Sequence, residues 1–191
     1  MKTILYIHGF NSAGGGTKSE LLHVALPKYK ILSPTFDYKN FDAAVKLLNS
    51  LMKVNRPDVV VGTSLGGFLA MYAGYKYNAK CIIINPTTHP SETLARFVGE
   101  NKNLLTKQKY MFTESDLSKY KDFEDKEFKQ ISLIDEKTHF LLSNDDELLG
   151  DHHYLEQKYF SCKHFSYFDG YGHRFTSTKP IVAAIENLLG K

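Results

Sequence analysis

One serine in this chain stands where a nucleophile would. Residues 57–73 run Pro-Asp-Val-Val-Val-Gly-Thr-Ser-Leu-Gly-Gly-Phe-Leu-Ala-Met-Tyr-Ala, with Ser64 at the centre of Gly-x-Ser-x-Gly. A short valine-rich run leads in and an apolar helical pattern follows at once, which is the sequence form of a strand–turn–helix nucleophile elbow. Such a turn forces the serine into a strained backbone and lifts its hydroxyl clear of the sheet. Gly62 and Gly66 fit because strand and helix approach too closely there for a Cβ. On this reading the chain is a serine hydrolase, and the remaining residues must supply a base, an acid and an oxyanion hole.

A serine hydroxyl is a poor nucleophile until a base takes its proton. Histidine suits the task near neutral pH. On strand–elbow–helix scaffolds the acid and then the histidine follow the serine in the chain. Of the eight histidines, His8 and His23 precede Ser64. His139 and His164 open strand-like runs, at the wrong sheet edge. His89 lies in a long insertion, and His152 and His153 follow Asp151 near a helix start. His173 remains, in Asp169-Gly-Tyr-Gly-His173-Arg-Phe, between the last strand and the last helix. The bland alternative is a loop histidine at the surface. The acid is expected after the penultimate strand, where Asn144 leads into Asp145, Asp146 and Glu147. Three adjacent carboxylates are usually just solvated, and position alone does not choose among them. Asp169 is a lesser rival.

The oxyanion hole needs two backbone N–H groups aimed at the developing alkoxide. Leu65, first in the helix after the nucleophile, supplies one. The loop after the first strand, Ile7-His-Gly-Phe10-Asn11-Ser-Ala-Gly-Gly-Gly16, supplies the other, with Phe10 the preferred donor and Asn11 next. Asn11 and Arg174 are also candidate substrate contacts. The glycines lack the order of a phosphate-binding loop. No metal site is expected: there is no H-E-x-x-H, and the adjacent His152 and His153 point apart on a helix. No cofactor is required.

These groups need a scaffold that gathers strand ends. Apolar runs predict buried strands at Thr3–Ile7, Tyr29–Ser33, Val59–Val61, Cys81–Ile84 and His139–Ser143, with an aromatic sixth at His164–Phe168. Helical patterns lie between them. Thr17-Lys-Ser-Glu20 reads as a capping box, Asn40 as a cap, Leu65–Tyr77 as the helix after Ser64, and Ser177 or Thr178 as the start of a last helix with Pro180 in its first turn. Alternation of strand and helix predicts a mostly parallel sheet of about six strands with helices on both faces. About fifty residues separate Asn85 from Thr138, where a crossover needs about a dozen. This stretch, about 86–137, is expected to form a short cap or lid over the site. The alternative is a crossover with a surface excursion. Ser91–Val98 looks helical, and Leu94, Phe97, Tyr110, Met111 and Phe112 could line an acyl site, though most are expected to pack in the core.

Composition narrows the function. The chain has 191 residues, a length that suits one domain, and a formal charge of +3. Its lysine-rich stretch, Lys119 to Lys129, is interleaved with acids and reads as a solvated face, so no nucleic-acid partner is expected. Cys81 and Cys162 sit in no ligand-spaced motif. No segment approaches a membrane span and the N-terminus lacks a signal-peptide pattern, which makes the cytoplasm the default location. Oligomeric state is open.

Taken together, Ile-His-Gly-Phe-Asn-Ser at 7–12, Val-Gly-Thr-Ser-Leu-Gly-Gly at 61–67, Asn-Pro at 85–86, Asp-Glu-Leu-Leu at 146–149 and Gly-His-x-Phe at 172–175 resemble the small bacterial esterases of the YqiA/YcfP family. The resemblance runs over essentially the whole chain, including Val98-Gly-Glu-Asn101. It implies a three-layer α/β-hydrolase fold and hydrolysis of carboxylic esters of short-to-medium acyl chains. Alignment with the family's Gly-Asp-Glu segment places the acid on Asp146, with Asp145 where a glycine is usual and hence the alternative. Arg174 stands where a small residue is expected and could bring positive charge to the pocket mouth. The expected substrate is a small acyl ester or thioester. The rivals are an acyl thioesterase and a non-catalytic module on the same fold.

Overall fold

The computed structural model describes residues 1–131 and 135–190. Six strands build one sheet: β1 (Thr3–Ile7), β2 (Lys30–Leu32), β3 (Val59–Thr63), β4 (Cys81–Ile84), β7 (Thr138–Ser143) and β8 (His164–Phe168). Their order across the sheet is β2-β1-β3-β4-β7-β8, and every neighbouring pair is parallel. Parallel pairing brings all C-terminal strand ends to one edge. Ser64, Asn85, Asn144 and Asp169 therefore begin loops along one rim, where open α/β sheets form their crevices.

Alternation along each strand splits the core into two layers. Leu5, Ile7, Val60, Ile83, Phe140 and Leu142 face one way. They pack on α2 (Phe41–Asn55), α3 (Leu65–Tyr77) and, beyond these, α5 (Glu114–Lys126). Ile4, Tyr6, Val59, Val61, Ile82, Ile84 and Leu141 face the other way, against Leu22 of α1 (Thr17–Ala25) and Ile181, Ala184 and Ile185 of α7 (Lys179–Leu188). The near-continuous apolar runs of β3 and β4 reflect this cover on both faces.

Several boundaries differ from the sequence expectation. β3 runs two residues further, because Gly62 and Thr63 continue the ladder opposite Ile83 and Ile84. The Thr17 capping box does not form. Gly16 is the N-cap, Thr17 is the first helical residue, and the Ser19 hydroxyl donates to the Gly16 carbonyl instead. Asn40 does cap α2, accepting from the Ala43 N–H. The Ser91–Val98 pattern resolves into a four-residue helix, α4 (Pro90–Thr93), and a 3₁₀ turn at Ala95–Phe97.

After α4 and the 3₁₀ turn, the long segment following β4 forms an antiparallel hairpin of β5 (Gly99–Lys102) and β6 (Lys109–Phe112), and then α5. Thr113 and Asp116 make a reciprocal capping box for α5, and Lys119, Lys121, Lys126 and Lys129 stay exposed. Residues 132–134, within the expected cap stretch, lie outside the described residues. A short helix α6 (Tyr154–Lys158) precedes β8. Among the described residues no helix is long and apolar enough to cross a membrane.

Candidate active site

Ser64 sits between β3 and α3 at φ 57° and ψ −119°, a backbone state that costs energy for a residue with a Cβ. Two glycines make this turn possible. A Cβ on Gly62 would lie 2.1 Å from the Gly66 carbonyl oxygen, and one on Gly66 would lie 2.2 Å from that of Ile7. The tight crossing aims the half-buried Ser64 side chain at the rim of the sheet.

The Ser64 hydroxyl lies 3.0 Å from His173 Nε2, across 109 residues of chain. On the other side of the ring, His173 Nδ1 donates to Asp146, at 2.8 Å from Oδ2 and 3.0 Å from Oδ1. That geometry leaves Nε2 as the acceptor for the hydroxyl proton. Asp146 is buried and also accepts the backbone N–H groups of Leu148 and Leu149, at 2.9 and 2.8 Å. Burial on its own would raise its carboxyl. The imidazole donors His152 and His173 and the Leu149 N–H outweigh that and hold it well below the usual carboxylate range. A hydroxyl, an imidazole and an ionised carboxylate in this line can pass a proton from oxygen to nitrogen while the carboxylate steadies the imidazolium.

The histidine loop is held from both sides. Asn85, fully buried after β4, donates to the Gly172 and His173 carbonyls at 3.0 and 3.1 Å, while its own oxygen accepts the Ser143 N–H at 2.8 Å. Glu147 accepts the His173 N–H at 2.8 Å. The Asp145 carboxylate accepts from the Ser143 hydroxyl at 2.6 Å and from the Tyr171 and Gly172 N–H groups. The three consecutive carboxylates thus divide their work: Asp146 meets the ring, and its neighbours brace the backbone that carries the ring.

Leu65 is the first residue of α3, so its N–H has no partner within the helix. The facing loop approaches Ser64 closely, since a Cβ on Gly9 would sit 3.2 Å from that of Ser64. His8 anchors this loop. Its Nδ1 donates to the Gly9 carbonyl at 2.8 Å, its Nε2 accepts the Phe36 N–H at 2.9 Å, and its own carbonyl accepts from Tyr38. Burial lowers the pKa of His8, in keeping with a ring that both donates and accepts. Phe10 follows, its ring packed on Phe97, Tyr110 and Phe112 of the segment after β4.

The model of a family described as "Uncharacterised protein family (UPF0227)" matches residues 3–190. The chain belongs to UPF0227. A UPF0227 protein of Pectobacterium carotovorum subsp. carotovorum is 30% identical over 98 residues, covering 48% of this chain and 54% of that protein. The chain spans about half the length of the curated relatives it matches. Solved structures extend the likeness to the whole fold. Est1E from Butyrivibrio proteoclasticus superposes with a TM-score of 0.73 at 13% identity, covering 100% of this chain and 89% of that one. A hydrolase of the α/β superfamily from Xanthomonas campestris pv. campestris, titled as putative, gives 0.60 at 16% identity, covering 100% and 99%. At such identities the likeness establishes the fold, which is that of the α/β-hydrolases.

In this UPF0227 chain Ser64 and His173 open onto a cleft of about 720 Å³. Phe10, Leu94 and Phe97 form an apolar wall, and the half-exposed Leu104, Leu105 and Leu148 rim the mouth. Lys18, Arg96 and Arg174 also line it, and no carboxylate does among the described residues. Lys18 donates to the Arg174 and Phe175 carbonyls at 2.7 and 2.6 Å, and burial lowers its pKa to about 8. Arg174 itself is exposed at the cleft. Asn11 lines the cleft too, but its side chain is engaged elsewhere: its oxygen accepts from Tyr110 at 2.5 Å and its nitrogen donates to Asn101 at 3.1 Å. Of the apolar residues expected in the insertion, Leu94 and Phe112 are buried, whereas Met111 is exposed.

Three residues of the UPF0227 site escaped the sequence reading of roles. Asn85 carried a signal, since Asn-Pro directly after a strand marks a turn. Glu147 was visible only as one of three acids. His152 donates Nε2–H to Asp146 Oδ2 at 2.8 Å, and its position six residues along a loop follows no periodicity that a sequence reveals.

Proposed function

We propose that the protein is a serine hydrolase of carboxylic esters, with Ser64 as nucleophile, His173 as general base and Asp146 as the acid that orients it. The observation that carries this reading is the continuous line from Ser64 Oγ through both nitrogens of His173 to the Asp146 carboxylate, at 3.0 and 2.8 Å. In it, Ser64 Oγ attacks the ester carbonyl as His173 Nε2 takes the hydroxyl proton. The Phe10 and Leu65 N–H groups receive the oxyanion. His173 returns the proton to the departing alkoxide, leaving an acyl ester on Ser64. Water then attacks that ester with His173 again as base, and a carboxylic acid leaves. The part of the segment after β4 that reaches the cleft, from α4 to the β5–β6 hairpin, serves as a short cap, with Leu94 and Phe97 contacting the acyl chain. The apolar wall favours an acyl group over a polar one, and the chains expected are short to medium.

Lys18, Arg96 and Arg174 around a mouth without acids favour a second reading, in which the leaving group is an anionic thiol of the acyl-carrier type. A fluorophosphonate probe tests the shared chemistry and a substrate pair separates the two. Labelling should fall on Ser64 and weaken in His173→Ala. p-Nitrophenyl butyrate turnover well above that of an acyl thioester supports the ester. No labelling of the folded protein sinks both readings and leaves the non-catalytic module.

A further inference from the structure

Among the described residues His152 is the one imidazole besides His173 that touches Asp146, and the scheme above gives it no task. It is buried, with its side chain 1% exposed. Its Nε2 lies 2.8 Å from Asp146 Oδ2, the same oxygen that takes the closer His173 contact. Its Nδ1 is buried and has no hydrogen-bond partner among the described residues. Since Asp146 only accepts, the proton of this pair must sit on Nε2. That contact fixes the ring's orientation and directs its Nε2–H at the carboxylate.

We propose that His152 is a positioning residue for the Ser64–His173 chemistry, holding Asp146 in line and drawing off part of its charge. The inference rests on the hydrolase reading for its effect on turnover, but not for its effect on His173. A carboxylate fixed by the Leu148 and Leu149 amides and by two imidazoles cannot rotate away from the His173 ring. Each N–H on it also makes it a poorer proton acceptor. The proton that His173 gains from Ser64 therefore stays on the ring, ready for the leaving group, rather than moving to Asp146.

The sign of the effect follows. Without the His152 donor, Asp146 turns a more concentrated negative charge toward His173. That favours the imidazolium, which cannot act as a base, so activity should begin to fail at higher pH. The other charged groups facing this cluster stay in place: Glu147 on the His173 N–H, Asp145 on the Tyr171 and Gly172 N–H groups, Arg96 on the Leu148 carbonyl, and Arg174 next along the chain. His153, beside His152, stacks on Tyr167 instead.

The test compares three variants in the full chain. His152→Leu fills the volume without a donor. His152→Gln can place an amide N–H where Nε2 stands, and His152→Asn is too short to reach. In the folded Leu and Asn proteins the acid limb of kcat/KM should move up by roughly half a pH unit, and kcat/KM at neutral pH should fall about tenfold. The Gln protein should regain most of both. If the Leu protein does not fold, the Gln–Asn pair decides. An unmoved acid limb in Asn or Leu, or equal impairment in Gln, overturns the proposal, because a purely structural staple would lower stability without moving the limb. A parallel NMR titration of the His173 ring needs no turnover. A shift seen there in a parent protein that hydrolyses no ester would sink the hydrolase reading and leave the role of His152 standing.

Discussion

Asp145 and Asp146 are neighbours in the chain, yet their carboxylates engage opposite ends of one structural unit. Asp146 accepts from the His173 ring at 2.8 Å. Asp145 accepts the backbone N–H groups of Tyr171 and Gly172, at 3.3 and 3.2 Å, on the loop that presents the ring. One carboxylate meets the imidazole itself and the other meets the loop that supports it.

Exchange of the two acids should therefore have unequal consequences. Asp146→Asn removes the group that fixes the tautomer and steadies the imidazolium, and kcat/KM should drop by at least about 10³-fold. Asp145→Asn keeps an acceptor oxygen and should cost less than about tenfold. Steady-state kinetics on p-nitrophenyl butyrate decide the matter; equal losses, or a larger loss in Asp145→Asn, would transfer the acid role to Asp145.

Ser64→Ala should abolish fluorophosphonate labelling and lower kcat by at least about 10³-fold. Alanine imposes the same backbone demands as serine at φ 57°, and the hydroxyl sits at the cleft rather than in the core, so the melting temperature should stay within a few degrees. A near-normal esterase rate in this variant contradicts the nucleophile assignment.

Gly62 and Gly15 separate two costs of adding a Cβ. At Gly62 the new atom would fall 2.1 Å from the Gly66 carbonyl oxygen, and both backbones would have to move. Gly62→Ala should cost more than about 4 kcal/mol and leave little folded protein. Gly15 has φ +69° with nothing within 4 Å of a built Cβ, so Gly15→Ala should cost only about 1–2 kcal/mol of backbone strain. Denaturant midpoints for the two proteins check this; a well-folded Gly62→Ala would show that the strand–helix crossing is looser than described.

Stability should fall in acid partly through Asp146. Its folded-state pKa lies below the usual range, so the unfolded chain, near pKa 3.9, takes up the proton first as pH drops. The stabilisation is complete above about pH 5 and is lost progressively below about pH 4. Asp146→Asn should be less stable than the parent at pH 7, and the gap should narrow toward pH 3. Asp145 and Glu147 also titrate low and persist in both proteins, so the difference between the two curves isolates Asp146. A gap that does not change with pH would mean that the carboxylate contributes through shape alone.

The sheet was legible because its strands are covered on both faces and read as unbroken apolar runs, as in Val59–Val61 and Cys81–Ile84. The approach of His173 to Ser64 was legible from chain order and from glycines on both sides of the histidine. The choice between Asp145 and Asp146 was not, because adjacent side chains diverge according to loop backbone, and only resemblance favoured one. The β5–β6 hairpin left little trace, since Gly-Glu-Asn-Lys is polar and depends on tertiary partners for its pairing. The Thr17 cap failed because a capping pattern fixes a helix start only when no glycine beside it takes the position first.

Those tertiary partners bind the hairpin to the loop that carries Phe10. Leu104 N–H donates to the Asn11 carbonyl, Asn103 donates to the Ser12 carbonyl, and the Asn11 side chain joins Tyr110 and Asn101. Prising the hairpin off the cleft would pull on the Gly9–Ser12 loop that faces Ser64. Under the proposed hydrolase reading, admission of substrate by that route and readiness for reaction would be mechanically linked: a guest would meet a disarmed centre until the hairpin settled back.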